Sequence, residues 1–179
     1  KTHKLIVLQE TINAACKHGY IDVIIFLYSH TNNKQIFSKF SITYAAECGH
    51  LNIIKFIHNT TLQENIKISN KNAMDYAALN GHLHVLKWLN ENRYEGCSVS
   101  ALYNACKNGH LNIVKWITVN KSNLNCGTKA MDNAAIYGYI EIVEWLSINR
   151  SEGCSVKALT MAIIKGYLPI AEFIYKNYS

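Results

Sequence analysis

Six glycines divide the chain at near-regular intervals: Gly19, Gly49, Gly81, Gly109, Gly138 and Gly166 lie 30, 32, 28, 29 and 28 residues apart. Self-similarity at such a period constrains the fold more than any single motif, because one supersecondary unit must then recur six times. Numbered from each glycine, other columns fall into register. Position −4 is always alanine (Ala15, Ala45, Ala77, Ala105, Ala134, Ala162), and −7 is always apolar (Ile12, Ile42, Met74, Leu102, Met131, Leu159). Position +2 is Leu or Ile, and +7 is always aromatic (Phe26, Phe56, Trp88, Trp116, Trp145, Phe173).

The columns read as two short helices per repeat. Apolar residues at −7, −4 and −3 follow the i, i+3, i+4 spacing of one helical stripe, and those at +4, +5 and +8 form a second. The glycine between them is the natural residue just past a helix end, where a positive φ carries no Cβ penalty. The alanines allow close approach of the helices, whose short connection makes them antiparallel neighbours. A unit of this size cannot bury both stripes alone, so each must stack on the next. The expected fold is therefore an all-α solenoid of about six helix-turn-helix repeats. Their bounds fall near 9–38, 39–70, 71–97, 98–126, 127–154 and 155–179, in one array spanning 1–179. A single proline in 179 residues fits helices.

The segment from Ala101 to Val114, Ala-Leu-Tyr-Asn-Ala-Cys-Lys-Asn-Gly-His-Leu-Asn-Ile-Val, resembles the ankyrin repeat, as do the other five units. Ala77-Ala78 and Ala134-Ala135 match the family's alanine pair, and His50, His82 and His110 match the histidine after its glycine. The Lys87-Trp88-Leu89 ending is similar to divergent ankyrin arrays of large DNA viruses and amoebae. The family's Thr-Pro-Leu-His start is missing. Its proline position holds Thr11, Ser41, Ala73, Ala101, Ala130 and Ala158, and its histidine position holds Asn13, Thr43, Asp75, Tyr103, Asp132 and Thr160. The hydrogen bonds by which that histidine and threonine tie neighbouring repeats must fall to other groups or be lost. The repeats are also about five residues shorter than the 33-residue family pattern. Blunt turns at Glu95-Gly96-Cys97, Cys126-Gly127 and Glu152-Gly153-Cys154 are expected instead of protruding β-hairpin fingers.

Six cysteines invite disulfide or metal readings. Cys97, Cys126 and Cys154 share a column, but stacked helices lie about 8–10 Å apart, too far for a disulfide between neighbours. No Cys-x-x-Cys occurs, and Cys16 and Cys106 fill small-residue positions of the alanine pair, so buried free thiols in a reducing setting are expected. The histidine column exchanges with Tyr20, Tyr139 and Tyr167, which favours packing over metal binding or pH sensing. The +7 aromatics are read as core rather than as stacking platforms for bases. Lys55, Lys87 and Lys115 form a basic stripe at +6 that turns acidic at Glu144 and Glu172. No nucleophile elbow, phosphate loop, zinc-protease helix or dinucleotide fingerprint is present, so no catalytic residue, cofactor or metal is assigned.

The resemblance implies a non-catalytic protein–protein interaction scaffold that binds a partner protein on a concave face. With the fingers shortened, recognition shifts to exposed positions −5, −2 and −1 of the first helices. These hold Tyr44, Tyr76, Leu79, Asn80, Asn104, Lys107, Asn108, Asn133, Ile136, Tyr137, Met161, Ile164 and Lys165. One alternative is a substrate-recruiting adaptor of a ubiquitin ligase, acting through a flanking motif outside this sequence. Another is a nucleic-acid-binding module, suggested by the net charge of +6. No apolar run is long enough to span a membrane, and a monomeric, intracellular protein of the cytoplasm or nucleus is expected. Apolar residues at both ends, Leu5-Ile6-Val7-Leu8 and Ile163, Ile164, Ile170 and Ile174, lead us to expect flanking repeats or segments in a longer chain.

Overall fold

The structure, a computed structural model, describes residues 2–31, 35–68 and 72–178, the side chains of 2–7 excepted. The described residues form twelve helices and no strand. The first helices of the six repeats are α1 (Thr2–His18), α3 (Lys39–Glu47), α5 (Asn72–Leu79), α7 (Val99–Lys107), α9 (Lys129–Ile136) and α11 (Val156–Ile164). The second helices are α2 (Ile21–Ser29), α4 (Leu51–Gln63), α6 (Leu83–Asn92), α8 (Leu111–Asn120), α10 (Ile140–Asn149) and α12 (Leu168–Tyr178). The fold class expected from the repeat is thus the one observed. Among the described residues no helix is long and apolar enough to cross a membrane.

The chain divides into two compact units, Lys1–Cys97 and Ser98–Ser179. In the first, α3 packs between α1 and α5; in the second, α9 packs between α7 and α11, while α10 packs along α8 and α12. The alanine column is fully or almost fully buried, from 0% exposure at Ala45 to 4% at Ala15. Ile53, Ile54 and Ile57 form the second-helix core of one repeat and Ile113, Val114 and Ile117 that of another, all at 0% exposure. In the last repeat Ala162, Ile170 and Ile174 keep these columns buried, while Ile163 at −3 and Leu168 at +2 are exposed. Leu5, Ile6 and Val7 lie in α1 by backbone, but their side chains fall outside the described residues.

Each first helix ends in one motif. At Gly49, φ is +78°, and its N–H donates to the Ala46 carbonyl at 3.3 Å while the His50 N–H donates to the Ala45 carbonyl at 2.8 Å. This double bond is the Schellman arrangement, which satisfies helix-end carbonyls that would otherwise lack a donor. The second bond, onto the −4 alanine carbonyl, recurs at Ala15, Ala77, Ala105, Ala134 and Ala162. At their other ends α3 and α7 are capped by Ser38 and Ser98, whose hydroxyls accept backbone N–H groups two residues on.

The +7 aromatics depart from expectation. Phe56, Trp88, Trp116, Trp145 and Phe173 are only half-buried, and Phe26 is exposed. At 3.6 residues per turn, +7 lies beside the +4/+5/+8 stripe rather than within it, so the aliphatic residues fill the core and the rings cover its edge. The three expected turns carry no strand, and Gly96, Gly127 and Gly153 all have positive φ.

Candidate partner-binding surface

Successive repeats interlock at the glycine turns within each unit. The His82 ring of one repeat lies over Gly49 of the preceding repeat, so that a Cβ placed on Gly49 would stand 2.7 Å from its Nδ1. His50 covers Gly19 in the same way, and in the second unit Tyr139 covers Gly109 and Tyr167 covers Gly138. The histidines also bond backward: His50 Nε2 lies 3.2 Å from the Lys17 carbonyl, and His82 Nε2 3.1 Å from that of Glu47. The column exchanges histidine for tyrosine because its common task is to cover the glycine with a flat ring.

Some residues expected to face a partner are instead tied to the frame. Asn80 Nδ2 donates to the Glu47 carbonyl at 2.7 Å, Asn133 Nδ2 to that of Tyr103 at 3.3 Å, and Asn108 Nδ2 to that of Asn104 at 2.9 Å. Tyr44, Leu79, Asn104, Asn133, Ile136 and Met161 are half-buried, whereas Tyr76, Asn80, Lys107, Asn108, Tyr137, Ile164 and Lys165 are exposed. In the first unit Tyr44 stacks against Phe40 at 6.3 Å, with Lys39 above the Phe40 ring.

In the second unit the exposed residues converge. The Lys107 and Lys165 ammonium groups lie 5.5 Å and 5.0 Å from the centre of the Tyr137 ring, within cation–π range. Lys165 Nζ also donates to the Ile136 carbonyl at 2.9 Å, and neighbouring Ile164 is 70% exposed. A third lysine, Lys129, lies 4.8 Å from the centre of the Tyr103 ring. Lys129 and Tyr103 were not among the expected contact residues; the signal for the lysine was a column at −9, shared with Lys157. A groove of about 800 Å³ in this unit runs instead along the loop edge beside Leu124, Ile148 and Arg150. Its charged residues Arg150 and Glu152 pair with each other.

The family model described as ankyrin repeats (3 copies) matches residues 12–100 and 90–158, which is most of the chain. The chain belongs to the ankyrin-repeat family. No curated protein matches it. Ankyrin repeats are, as a class, protein–protein interaction modules, and the departures of these repeats from the family pattern now acquire physical content.

Where the family's repeat-tying histidine is replaced, other side chains make the tie. Asn13 Oδ1 accepts from Ser41 Oγ of the next repeat at 2.8 Å. Within its own repeat, Tyr103 donates its hydroxyl to the Cys126 carbonyl at 2.8 Å. Asp132, buried, accepts from the Ser155 backbone N–H at 2.7 Å and from its hydroxyl at 2.8 Å. Where ankyrin fingers would project, arginines staple the shortened loops. Arg93 pairs with Glu95 and donates to the Ile68 carbonyl, and Arg150 pairs with Glu152 and donates to the Leu124 carbonyl at 2.6 Å. Hydrogen bonds from Arg150 hold the Glu152 carboxyl down at about 2. The twice-written Asn-Arg-x-Glu-Gly-Cys-Ser, starting at Asn92 and Asn149, is the sequence signal for these staples.

All six cysteines are free. Burial pushes the Cys16 thiol up to about 12 and the Cys126 thiol up to about 11, and it raises Cys106 further still. Among the described residues no three His, Cys, Asp or Glu side chains gather as a metal site would require.

Proposed function

We propose that this chain is a non-catalytic scaffold that captures a partner protein on its first-helix face, with the contact centre at Tyr137. The observation that carries this reading is the exposed Lys107–Tyr137–Lys165 cluster on a helix face whose neighbouring amides are locked to backbone carbonyls. Such a face is pre-organised, and a partly exposed tyrosine at its centre has the character of an interface hot spot, since little side-chain freedom is lost on binding. Six free thiols suit a reducing compartment inside a cell, where the scaffold acts as a monomer.

The test is selection of short displayed peptides on the immobilised 179-residue chain. The strongest ligands should lose about 30-fold in affinity, the hot-spot scale, when Tyr137 is changed to alanine. They should be indifferent to Val119→Ala, an exposed residue on α8. Equal binding by both variants would remove the assignment of the contact centre.

A further inference from the structure

We propose that the first-helix face of the unit Ser98–Ser179 takes an acidic segment of the partner protein, its carboxylates met by Lys107, Lys129, Lys157 and Lys165 and its apolar side chains by Tyr137 and Ile164. This inference rests on the scaffold reading above and adds the chemistry of the partner.

The exposed acids in this unit are sorted by helix, although α8 and α12 also carry Lys115 and Lys176. The first helices α7, α9 and α11 carry Lys107, Lys129 and Lys157, and Lys165 follows α11 as its cap. The one carboxylate on those three helices, Asp132, is buried and accepts both hydrogen bonds from Ser155. The other acids lie elsewhere: Glu141 and Glu144 on α10, Glu172 on α12, and Glu152 in its pair with Arg150. Among the described residues, none of the four lysines has a carboxylate within ion-pairing distance.

Three of these ammonium groups are also held in place. Lys107 and Lys165 are drawn to the Tyr137 ring and Lys129 to that of Tyr103, and Lys165 is further fixed by the Ile136 carbonyl. An exposed lysine normally loses side-chain freedom when it pairs with a carboxylate, and much of that loss is already taken here. Such a patch favours an incoming carboxylate in rate and orientation. Nucleic acid fits it less well, because a phosphate track needs basic residues sustained along its length, whereas α10 carries Glu141 and Glu144 and no lysine, and on α12 Lys176 is offset by Glu172. The chain also has only two arginines, and the planar donor forks of both are occupied by Glu95 and Glu152.

The experiment reads the composition of the peptides selected on the chain and then the affinity of the best synthetic one by fluorescence anisotropy. The enriched sequences should be net acidic with interspersed apolar residues. The chosen peptide should weaken as salt is raised and lose roughly tenfold with Lys107→Ala/Lys165→Ala. It should bind normally to Lys107→Arg/Lys165→Arg and to the control Lys121→Ala/Lys176→Ala. Far-UV circular dichroism checks that these surface variants remain folded. Enriched peptides that are neutral or basic yet still depend on Tyr137 would overturn the acidic assignment and leave the scaffold reading standing. A single-stranded oligonucleotide of matched charge that binds more tightly than the peptide would also overturn it. A selection that enriches nothing would remove the scaffold reading, and this inference with it.

Discussion

Replacing Gly109 with alanine separates two reasons for the glycine column. The backbone there is left-handed, with φ at +77°, and the new Cβ would also run into the Tyr139 ring, standing 2.7 Å from Cζ and 2.9 Å from Cδ1. Holding an L-residue at such a φ costs roughly 1–2 kcal/mol. The loss of glycine's freedom in the unfolded chain offsets about 0.4–1 kcal/mol of that. Forcing an extra carbon against a packed ring adds about 1–3 kcal/mol. Gly109→Ala should therefore cost about 2–4 kcal/mol. Gly166 supplies the control, because its φ is +72° but no atom lies within 4 Å of a Cβ placed there. Gly166→Ala should cost only the backbone part, about 1 kcal/mol. Equilibrium urea unfolding gives the totals, and amide hydrogen exchange resolves them by repeat, since stacked repeats can open piecewise. In a Tyr139→Ala background the cost of Gly109→Ala should fall to the level of Gly166→Ala. Equal losses in the two glycine variants, or a loss at Gly109 that survives removal of the ring, would refute the argument that the ring of one repeat selects the glycine of its neighbour.

Two further predictions concern ionisable groups. Alkylation near neutral pH, followed by mass spectrometry, should modify half-buried Cys48, Cys97 and Cys154 first and reach Cys16 and Cys106 only on unfolding, because the thiolate is the nucleophile and burial suppresses it; labelling of Cys106 as fast as Cys48 would contradict this. Glu152 ionises at about 2 in the fold against an ordinary value of 4.5, so its contribution to stability is complete above pH 4.5 and drains away as the pH falls toward 2. Glu152→Gln should flatten that acid limb, and an acid unfolding curve identical to the parent's would show that the Arg150 staple contributes nothing.

The repeat architecture was legible because it is written in local periodicity. The −7, −4 and −3 stripe, the +4, +5 and +8 stripe and the glycine after each first helix all follow from helical geometry within a few residues, and burial of Ala45, Ile53 and Leu102 agrees with them. The misreading of the +7 column came from the same source. Periodicity gives the angle at which Trp116 leaves its helix, but how far the neighbouring repeat extends over that angle is a property of the stack. The candidate surface was legible only in part. Positions −5, −2 and −1 are indeed where Tyr137, Lys107 and Lys165 meet, yet the same rule selected Asn80 and Asn133, which spend their amides on carbonyls of the preceding repeat.

By itself, then, the order of residues determined the number of helices, their pairing and their buried stripes, because each depends on contacts that close within a single repeat. Only the tertiary structure decided that Tyr139 sits over Gly109, that Arg150 reaches the Leu124 carbonyl, and that two lysines share one tyrosine. These contacts join residues about one repeat apart, and they depend on the offset and rotation between stacked helix pairs, to which helical periodicity is blind.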